Sequence, residues 1–228
     1  LKFHNFFLRS NKRYYLTEKN YDESESINFL NNKIYFDGLW QKIRYFNKFS
    51  KEISNEFQIK DHISQKYKKS SYYQKIINDY ESVSIHLRDF NNGSNRLDEN
   101  INSNYYLKAI NLIKSNIKNP KFYIFCENPT YSKNFFNNDF INTNEININY
   151  VIDKEFQKDP LFDFWLMQKC KNFIIANSTF SWWAAWLGNI KNSGIVVYPN
   201  EYLNIKINDT NNSPSTMRNN WHPIPLKK

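Results

Sequence analysis

Between Ser82 and Pro199 the apolar positions fall into short runs separated by helically spaced stretches. SVSIHL (82–87), KFYIFC (121–126) and the segment from Ile146 to Ile152 are of strand length and rich in β-branched and aromatic residues. Such runs mark strands buried on both faces. From Asn104 to Ile117 the apolar residues share one helical face (Tyr106, Ala109, Ile110, Ile113), with Asn102, Ser103 or Asn104 as cap and Pro120 beyond the end. Tyr131 to Asn137 predicts a short helix. Pro160 to Cys170 predicts another, with Pro at its start and Asp159 as its cap. The stretch NFIIANSTFSWWAAWLGNIKNSGIVVYP (172–199) organises the rest. Phe173 to Ala176 reads as a strand, Asn177-Ser178-Thr179 as a polar turn, Ser181 to Leu187 as a helix stopped by Gly188, and Gly194 to Tyr198 as a second strand.

The order β-α-β-(α)-β-α-β-α-β predicts an α/β fold, a parallel sheet with helices on both faces. Upstream, Ile34 to Gly38 predicts a strand and Leu39 to Phe49 an amphipathic helix. Phe3, Phe6, Phe7 and Leu8 suit a strand edge or a docked segment. Ile53 to Lys75 reads as a polar helical connector, and Asn200 to Lys228 as an irregular tail. The expected division is an N-terminal portion, 1–80, and a sheet domain, 81–228.

Composition narrows the classes. The 228 residues suffice for a substantial core, and 40% hydrophobic against 23% charged residues describes a globular chain. The abundance of Asn, Ile, Lys and Tyr points to an A/T-rich genome, bacterial or protist. Two cysteines, Cys126 and Cys170, give neither a disulfide framework nor metal-ligand spacing, which favours a reducing compartment. No apolar run reaches the length of a membrane span, and no signal-peptide pattern opens the chain. The formal charge of +9 comes from lysines scattered along the sequence. No recognition motif or basic-aromatic stripe accompanies it, so nucleic acid is not an expected partner.

Polar groups follow three of the predicted strands: His86 and Arg88, then Glu127 and Asn128, then Asn177 to Ser181. In a parallel sheet these turns share the carboxyl edge, where ligands bind. The free N–H groups of a helix start and a neighbouring guanidinium suit a diphosphate. Asp163, on the helix before the last of these turns, suits the edge of a guanine ring. Neither standard glycine-rich phosphate loop nor an Asp-x-Asp triplet is present, so no metal site is expected. Each piece also has a plain structural explanation: Ser178 and Thr179 as helix caps, the Trp182, Trp183 and Trp186 group as core, Asp163 as a solvated surface acid.

Asp163 to Lys171 and Ile174 to Leu187 together resemble a block of glycosyltransferase family 11, the α-1,2-fucosyltransferases, close to D-x-x-LM-x-x-CK-x-x-IIANSTFSWW-x-AWL. Weaker matches are Tyr35 to Phe46, Tyr105 to Ile110, and Phe122 to Pro129. The resemblance covers roughly Ile34 to Pro199. It implies a GT-B-like architecture of two Rossmann-like halves. It implies transfer of L-fucose from GDP-fucose to the 2-hydroxyl of a galactose-containing glycan, with inversion and without a metal or other cofactor. On this likeness His86 meets the guanine, Arg88 the β-phosphate, and Asp163 the base edge. Asn177, Ser178, Thr179 and Ser181 cradle the diphosphate. Arg88 stabilises the departing GDP, and Asp89 and Glu127 are the candidate bases.

The expected setting is lipopolysaccharide or capsule synthesis in the cytoplasm (or in a Golgi lumen for a eukaryotic source), and the basic surface suits peripheral attachment to an anionic inner membrane face. Departures motivate a second reading, a catalytically silent relative that binds a GDP-sugar or glycan. The family's H-x-R-R-x-D-Y is here His86-Leu87-Arg88-Asp89-Phe90-Asn91. Glu127 and Asn128 replace two Asp, and Ala184 replaces a Gly. The family's GGLGNQMFQYA loop has no counterpart, which implies either an N-terminal half lacking its first strand and helix or a protein that naturally does without them.

Overall fold

The computed structural model describes residues 13–17, 33–37, 43–89, 101–137, 146–200 and 220–226. The chain divides into two compact units, Leu1–Ser50 and Lys51–Lys228. In the first, β1 (Arg13–Thr17) and β2 (Lys33–Asp37) form a parallel pair with Tyr15 opposite Tyr35. Where a helix was expected up to Phe49, the described residues form two short 3-10 turns, Ile43–Tyr45 and Asn47–Phe49. The predicted apolar segment at Phe3 to Leu8 lies outside the described residues.

The second unit begins with three short helices: α1 (Ser50–Glu56), α2 (Asp61–Tyr67) and α3 (Ser71–Ile77). Then follow β3 (Ser82–His86), α4 (Ser103–Asn116), β4 (Lys121–Phe125), α5 (Pro129–Asn137), β5 (Asn147–Tyr150) and α6 (Pro160–Met167). The chain continues with β6 (Asn172–Ile174), α7 (Thr179–Asn192), β7 (Val196–Pro199) and β8 (His222–Ile224). The strands form one parallel sheet in the order β5-β4-β3-β6-β7-β8. Counted from β3 as the first strand, this is 3-2-1-4-5-6, the order of the doubly wound dinucleotide-binding fold. The strand order reverses between β3 and β6.

Alternation along the strands sends successive side chains to opposite faces. Val83, Ile85, Phe122, Ile124, Ile174 and Val197 share one core cluster with Tyr105, Ala109, Ile110 and Ile113 of α4. Phe173 points the other way, to the α7 side, where its ring closes on Gly188. Helices therefore cover both faces, as the Rossmann-like expectation requires. Among the described residues, no helix is long and apolar enough to cross a membrane.

The stretch expected to be a connector is part of this unit. The Tyr67 hydroxyl donates to Asp159 (2.6 Å), Ser70 to Asp153 (2.7 Å), and Tyr72 to the Tyr150 carbonyl (2.8 Å). These bonds fasten α2 and α3 to the loops at the carboxyl end of the sheet. The compact units accordingly divide at Ser50, not near residue 80. The tail, expected to be irregular, supplies β8, paired with β7 through Val197 and His222.

Gly188 does not stop the last helix. α7 runs through it to Asn192 and ends on Ser193, whose φ of 52° is left-handed. Gly188 is a close-approach position instead: a Cβ there would meet the Phe173 ring at 2.5 Å and the Gln168 carbonyl oxygen at 3.0 Å. A Cβ on Gly194 would lie 1.8 Å from the Lys171 carbonyl oxygen. A ring can yield more readily than backbone. Gly188→Ala is therefore expected to cost about 1–2 kcal/mol and Gly194→Ala about 3 kcal/mol or more. Urea unfolding of the two variants checks this order, and equal stabilities would contradict it.

Candidate functional site

Parallel strands that part company leave carbonyls without ladder partners. The β3–β6 pairing ends at Ile85 opposite Ile174. Just beyond, the His86 carbonyl accepts from the Tyr106 hydroxyl (3.0 Å), and the Ile175 carbonyl from the Tyr105 hydroxyl (2.7 Å). Both tyrosines are buried on α4. The crevice opens here, at the carboxyl ends of the strands where the order reverses, which is where this fold binds ligands.

A cavity of about 120 Å³ occupies this edge. It is lined by His86 and Arg88 after β3, Phe125 to Glu127 at the end of β4, Pro160 and Asp163 of α6, and Phe180 of α7. Four of the residues singled out in the sequence thus meet: His86, Arg88, Glu127 and Asp163. Asp89, Asn177, Ser178, Thr179 and Ser181 are not among the lining residues. Asp89 is buried and accepts from the Asn128 side chain at 2.9 Å. The Asn177–Ser181 turn reaches the cavity only through Phe180, a residue the sequence reasoning passed over. Its only signal was its place inside the matched block.

The turn itself is built differently from the expected cap. Ser178 precedes α7 but its side chain makes no capping bond, and its N–H turns back to the Ala176 carbonyl (2.8 Å). The Ser181 hydroxyl, fully buried, faces the Ala176 and Ser178 carbonyls. Ser181 therefore braces the turn from within, while half-buried Ser178 and exposed Thr179 stand at the start of a fourteen-residue helix. The first N–H groups of a helix have no partner within it, and they favour an anion. Trp182 and Trp186 are core, as their plain reading had it. Trp183 stacks on Phe57 with ring centroids 5.1 Å apart.

Charge in the cavity is arranged unevenly. His86 is buried, its Nδ1 has no hydrogen-bond partner, and its ring lies 5.5 Å from that of Phe180. Burial, with Arg88 adding to it, pushes its pKa from 6.5 down to about 3, so the ring is neutral. Asp163 is half-buried. Burial first, then Asp159, Glu127 and Asp153, raises its carboxyl from 3.8 to about 7. Cys126 is pushed up to about 12, chiefly by burial, and is an inert wall. The Arg88 Nε lies 3.5 Å from a Glu127 oxygen, both side chains being roughly half exposed. An exposed pair of this kind holds with about 0–1 kcal/mol.

This arrangement offers a neutral acceptor or donor nitrogen, a weakly charged carboxyl, one guanidinium and a helix start on one sheet edge. The sequence model of Glycosyl transferase family 11 matches residues 3–224. The chain belongs to glycosyl transferase family 11. It is 30% identical over 172 residues to an alpha-1,2-colitosyltransferase of Escherichia coli, covering 74% of this chain and 56% of that protein. It is likewise 30% identical over 201 residues to the O-antigen biosynthesis glycosyltransferase WbnK of Escherichia coli, covering 82% of this chain and 64% of that one. The chain thus spans less than two thirds of the length of either relative. The family 11 chain described here presents the Rossmann-like sheet of a GT-B fold, with His86, Arg88, Glu127 and Asp163 around its switch-point cavity.

The two shifted groups give stability opposite pH slopes. His86 binds a proton more readily unfolded (6.5) than folded (about 3), so its contribution is present above 6.5 and lost as pH falls toward 3. Asp163 does the reverse: its contribution is present below 3.8 and lost as pH rises through about 7. Between pH 4 and 6.5 the two oppose each other, each by at most about 1.4 kcal/mol per pH unit, and Asp163 by less because water reaches it. Asp163→Asn should make stability climb more steeply with pH than in the wild type. His86→Gln should make it fall more steeply. Urea midpoints at several pH values in this window check both signs; profiles parallel to wild type would show that neither group is shifted.

Proposed function

We propose that this family 11 chain transfers L-fucose, or a closely related deoxy sugar, from a GDP-sugar to the 2-hydroxyl of a galactose-containing glycan, with inversion. The observation that carries the reading is the meeting of His86, Arg88, Glu127 and Asp163 at the strand-order reversal of a family 11 sheet. The α-1,2 linkage in one relative's name agrees with a 2-hydroxyl acceptor, while its colitosyl group leaves the sugar to experiment. No metal is assigned to the site, and EDTA is expected to leave turnover unchanged.

The nucleotide's base enters the pocket beside His86 and Phe180. Asp163, once ionised, accepts from the ring edge of guanine. The diphosphate lies between Arg88 and the start of α7, where the Ser178 and Thr179 hydroxyls and the first N–H groups add donors. Because the Arg88–Glu127 pair is weak, phosphate oxygens displace Glu127 at small cost, a charge-assisted and bidentate exchange. Arg88 then stabilises the negative charge that grows on GDP as the glycosidic bond breaks and the sugar becomes oxocarbenium-like. Glu127, released from Arg88, takes the proton from the acceptor hydroxyl as that oxygen attacks the anomeric carbon from the opposite face. Asp89 is less suited to that step, being buried and held by Asn128. A silent GDP-sugar-binding relative remains the second reading, favoured by the Asp89 and Asn128 replacements in the family's motifs.

Incubation of the chain with GDP-fucose and a panel of β-galactosides is expected to release GDP only when acceptor is present. Arg88→Ala should lower kcat/KM by about 100-fold or more with an unchanged circular dichroism spectrum. A fully active Arg88→Ala chain would refute the mechanism, and GDP binding without transfer to any acceptor would establish the silent reading. Asp163 carries a proton in the free chain below about pH 7 and must lose it to accept from guanine. GDP affinity should therefore rise with pH up to about 7, by at most about tenfold per unit, and flatten above. Calorimetry at several pH values measures this, and Asp163→Asn should abolish the dependence.

A further inference from the structure

A second concavity, of about 320 Å³, opens at the opposite edge of the sheet, where β6 and β7 begin. Three lysines from three separate elements line it: Lys68 just past α2, Lys169 in the turn between α6 and β6, and Lys191 in the last turn of α7. Asp61 is the one carboxylate among the lining residues. The ion pairs among the described residues are Lys66–Glu155, Arg88–Glu127 and Lys121–Asp79, so none of the three lysines is in one.

Packing fixes the middle lysine. The Lys169 ammonium lies 4.8 Å from the centre of the Trp165 ring, and Trp165 in turn stacks on Tyr73 at 5.1 Å. Burial first, then Lys191 and Lys68, pushes its pKa from 10.5 down to about 8. Each of the three lies at the end of a helix, Lys68 capping α2, Lys169 just past α6 and Lys191 in the last turn of α7, where the helix field favours a base. Three helix ends on one groove bring three lysines to its lining. One carboxylate against three ammonium groups leaves a positive surplus, and an anion in the groove offsets it. Three donors carried by three separate elements suit a phosphate, with its several oxygens, better than a carboxylate with two. The Ser54 hydroxyl, also on the lining, adds a neutral donor.

We propose that this groove binds a phosphate group, held by Lys68, Lys169 and Lys191. The phosphate is that of a soluble phosphorylated molecule or of a lipid headgroup, and the chemistry of recognition is the same for both. The proposal is independent of the donor reading, since the groove shares no lining residue with the cavity at His86.

The test uses the whole chain and two probes. Inorganic phosphate, titrated at constant ionic strength against chloride, is expected to raise the melting temperature saturably. In Lys169→Gln/Lys191→Gln the apparent phosphate affinity should fall about tenfold per ammonium removed, the worth of one charge-assisted hydrogen bond. Calorimetric GDP affinity should be the same in wild type and variant, which keeps this site's failure distinct from failure of the donor reading. Lys68→Gln, on the half-buried rim, gives the same comparison should the double variant fold poorly. Co-sedimentation with vesicles of phosphatidylglycerol and phosphatidylcholine, against phosphatidylcholine alone, separates the sources. Lysine-dependent pelleting identifies a lipid headgroup, and stabilisation by inorganic phosphate without pelleting identifies a soluble phosphate. Equal responses in wild type and variants, or no response of the wild type to either probe, overturn the proposal.

Discussion

Two buried hydroxyls hold the site open. Where β3 and β6 diverge, the His86 carbonyl loses its place in the ladder and the Tyr106 hydroxyl takes it. The Ile175 carbonyl faces Pro199 of β7, which has no N–H to give, and the Tyr105 hydroxyl takes that one. A buried carbonyl left without a donor costs about 1–3 kcal/mol, and the two hydroxyls that α4 brings here remove that cost at both carbonyls. Tyr105 also reaches the Val197 carbonyl at 3.3 Å, tying in the end of β7. Adjacent residues on a helix diverge by about 100°, so Tyr105 and Tyr106 can serve different strands at the same level. The same helix fills the core below with Ala109, Ile110 and Ile113. Core packing and the shape of the crevice are therefore set by one element, and a change that rotates α4 would disturb both.

The groups on that edge are matched in strength as well as position. His86 is kept neutral and Asp163 barely ionised by burial, while Arg88 and Glu127 stay at the surface in a pair that water weakens. A strong buried pair at Arg88 would resist exchange, because each charge would have to be stripped of a well-made partner before meeting a phosphate. A weak exposed pair with Glu127 keeps the guanidinium nearby at little cost to exchange of that partner. The unsatisfied Nδ1 of His86 fits the same pattern, a polar atom left for something the chain itself does not supply.

How much of this could be read from the chain follows from the range of the interactions involved. The buried strands and α4 were legible because periodicity and capping are local: Asp159 caps α6 as the pattern named, and Asn102, one of three candidates, caps α4. Gly188 misled because a glycine in an apolar helix looks like a stop, whereas its reason lies fifteen residues away in the Phe173 ring. The place of α2 and α3 was hidden for the same reason. The hydroxyls of Tyr67, Ser70 and Tyr72 find partners some eighty or ninety residues on, and nothing in a polar amphipathic stretch announces them. At the site, the charged residues stood out because they follow strands. Phe180 did not, since an aromatic residue among tryptophans reads as core.

Topology also sorts the charge that the sequence presents as scattered. In a parallel α/β sheet every helix starts at the carboxyl edge and ends at the amino edge. Helix dipoles therefore favour acids at the first and bases at the second. Asp89, Glu127, Asp159 and Asp163 lie near the carboxyl ends of the strands, and Lys114, Lys121, Lys169, Lys171 and Lys191 near the beginnings, with Asp79 and Glu81 before β3 and Lys154 and Lys158 after β5 running against the trend. A diphosphate at the carboxyl edge must therefore bind against an acid-rich rim, which leaves little redundancy around Arg88. At the other edge the dipole preference, repeated over neighbouring helices, brings ammonium groups closer together than any one helix requires. The net charge of +9 is thus least informative as a total. Its meaning lies in how a repeated helix direction biases the two signs toward opposite edges of a single sheet.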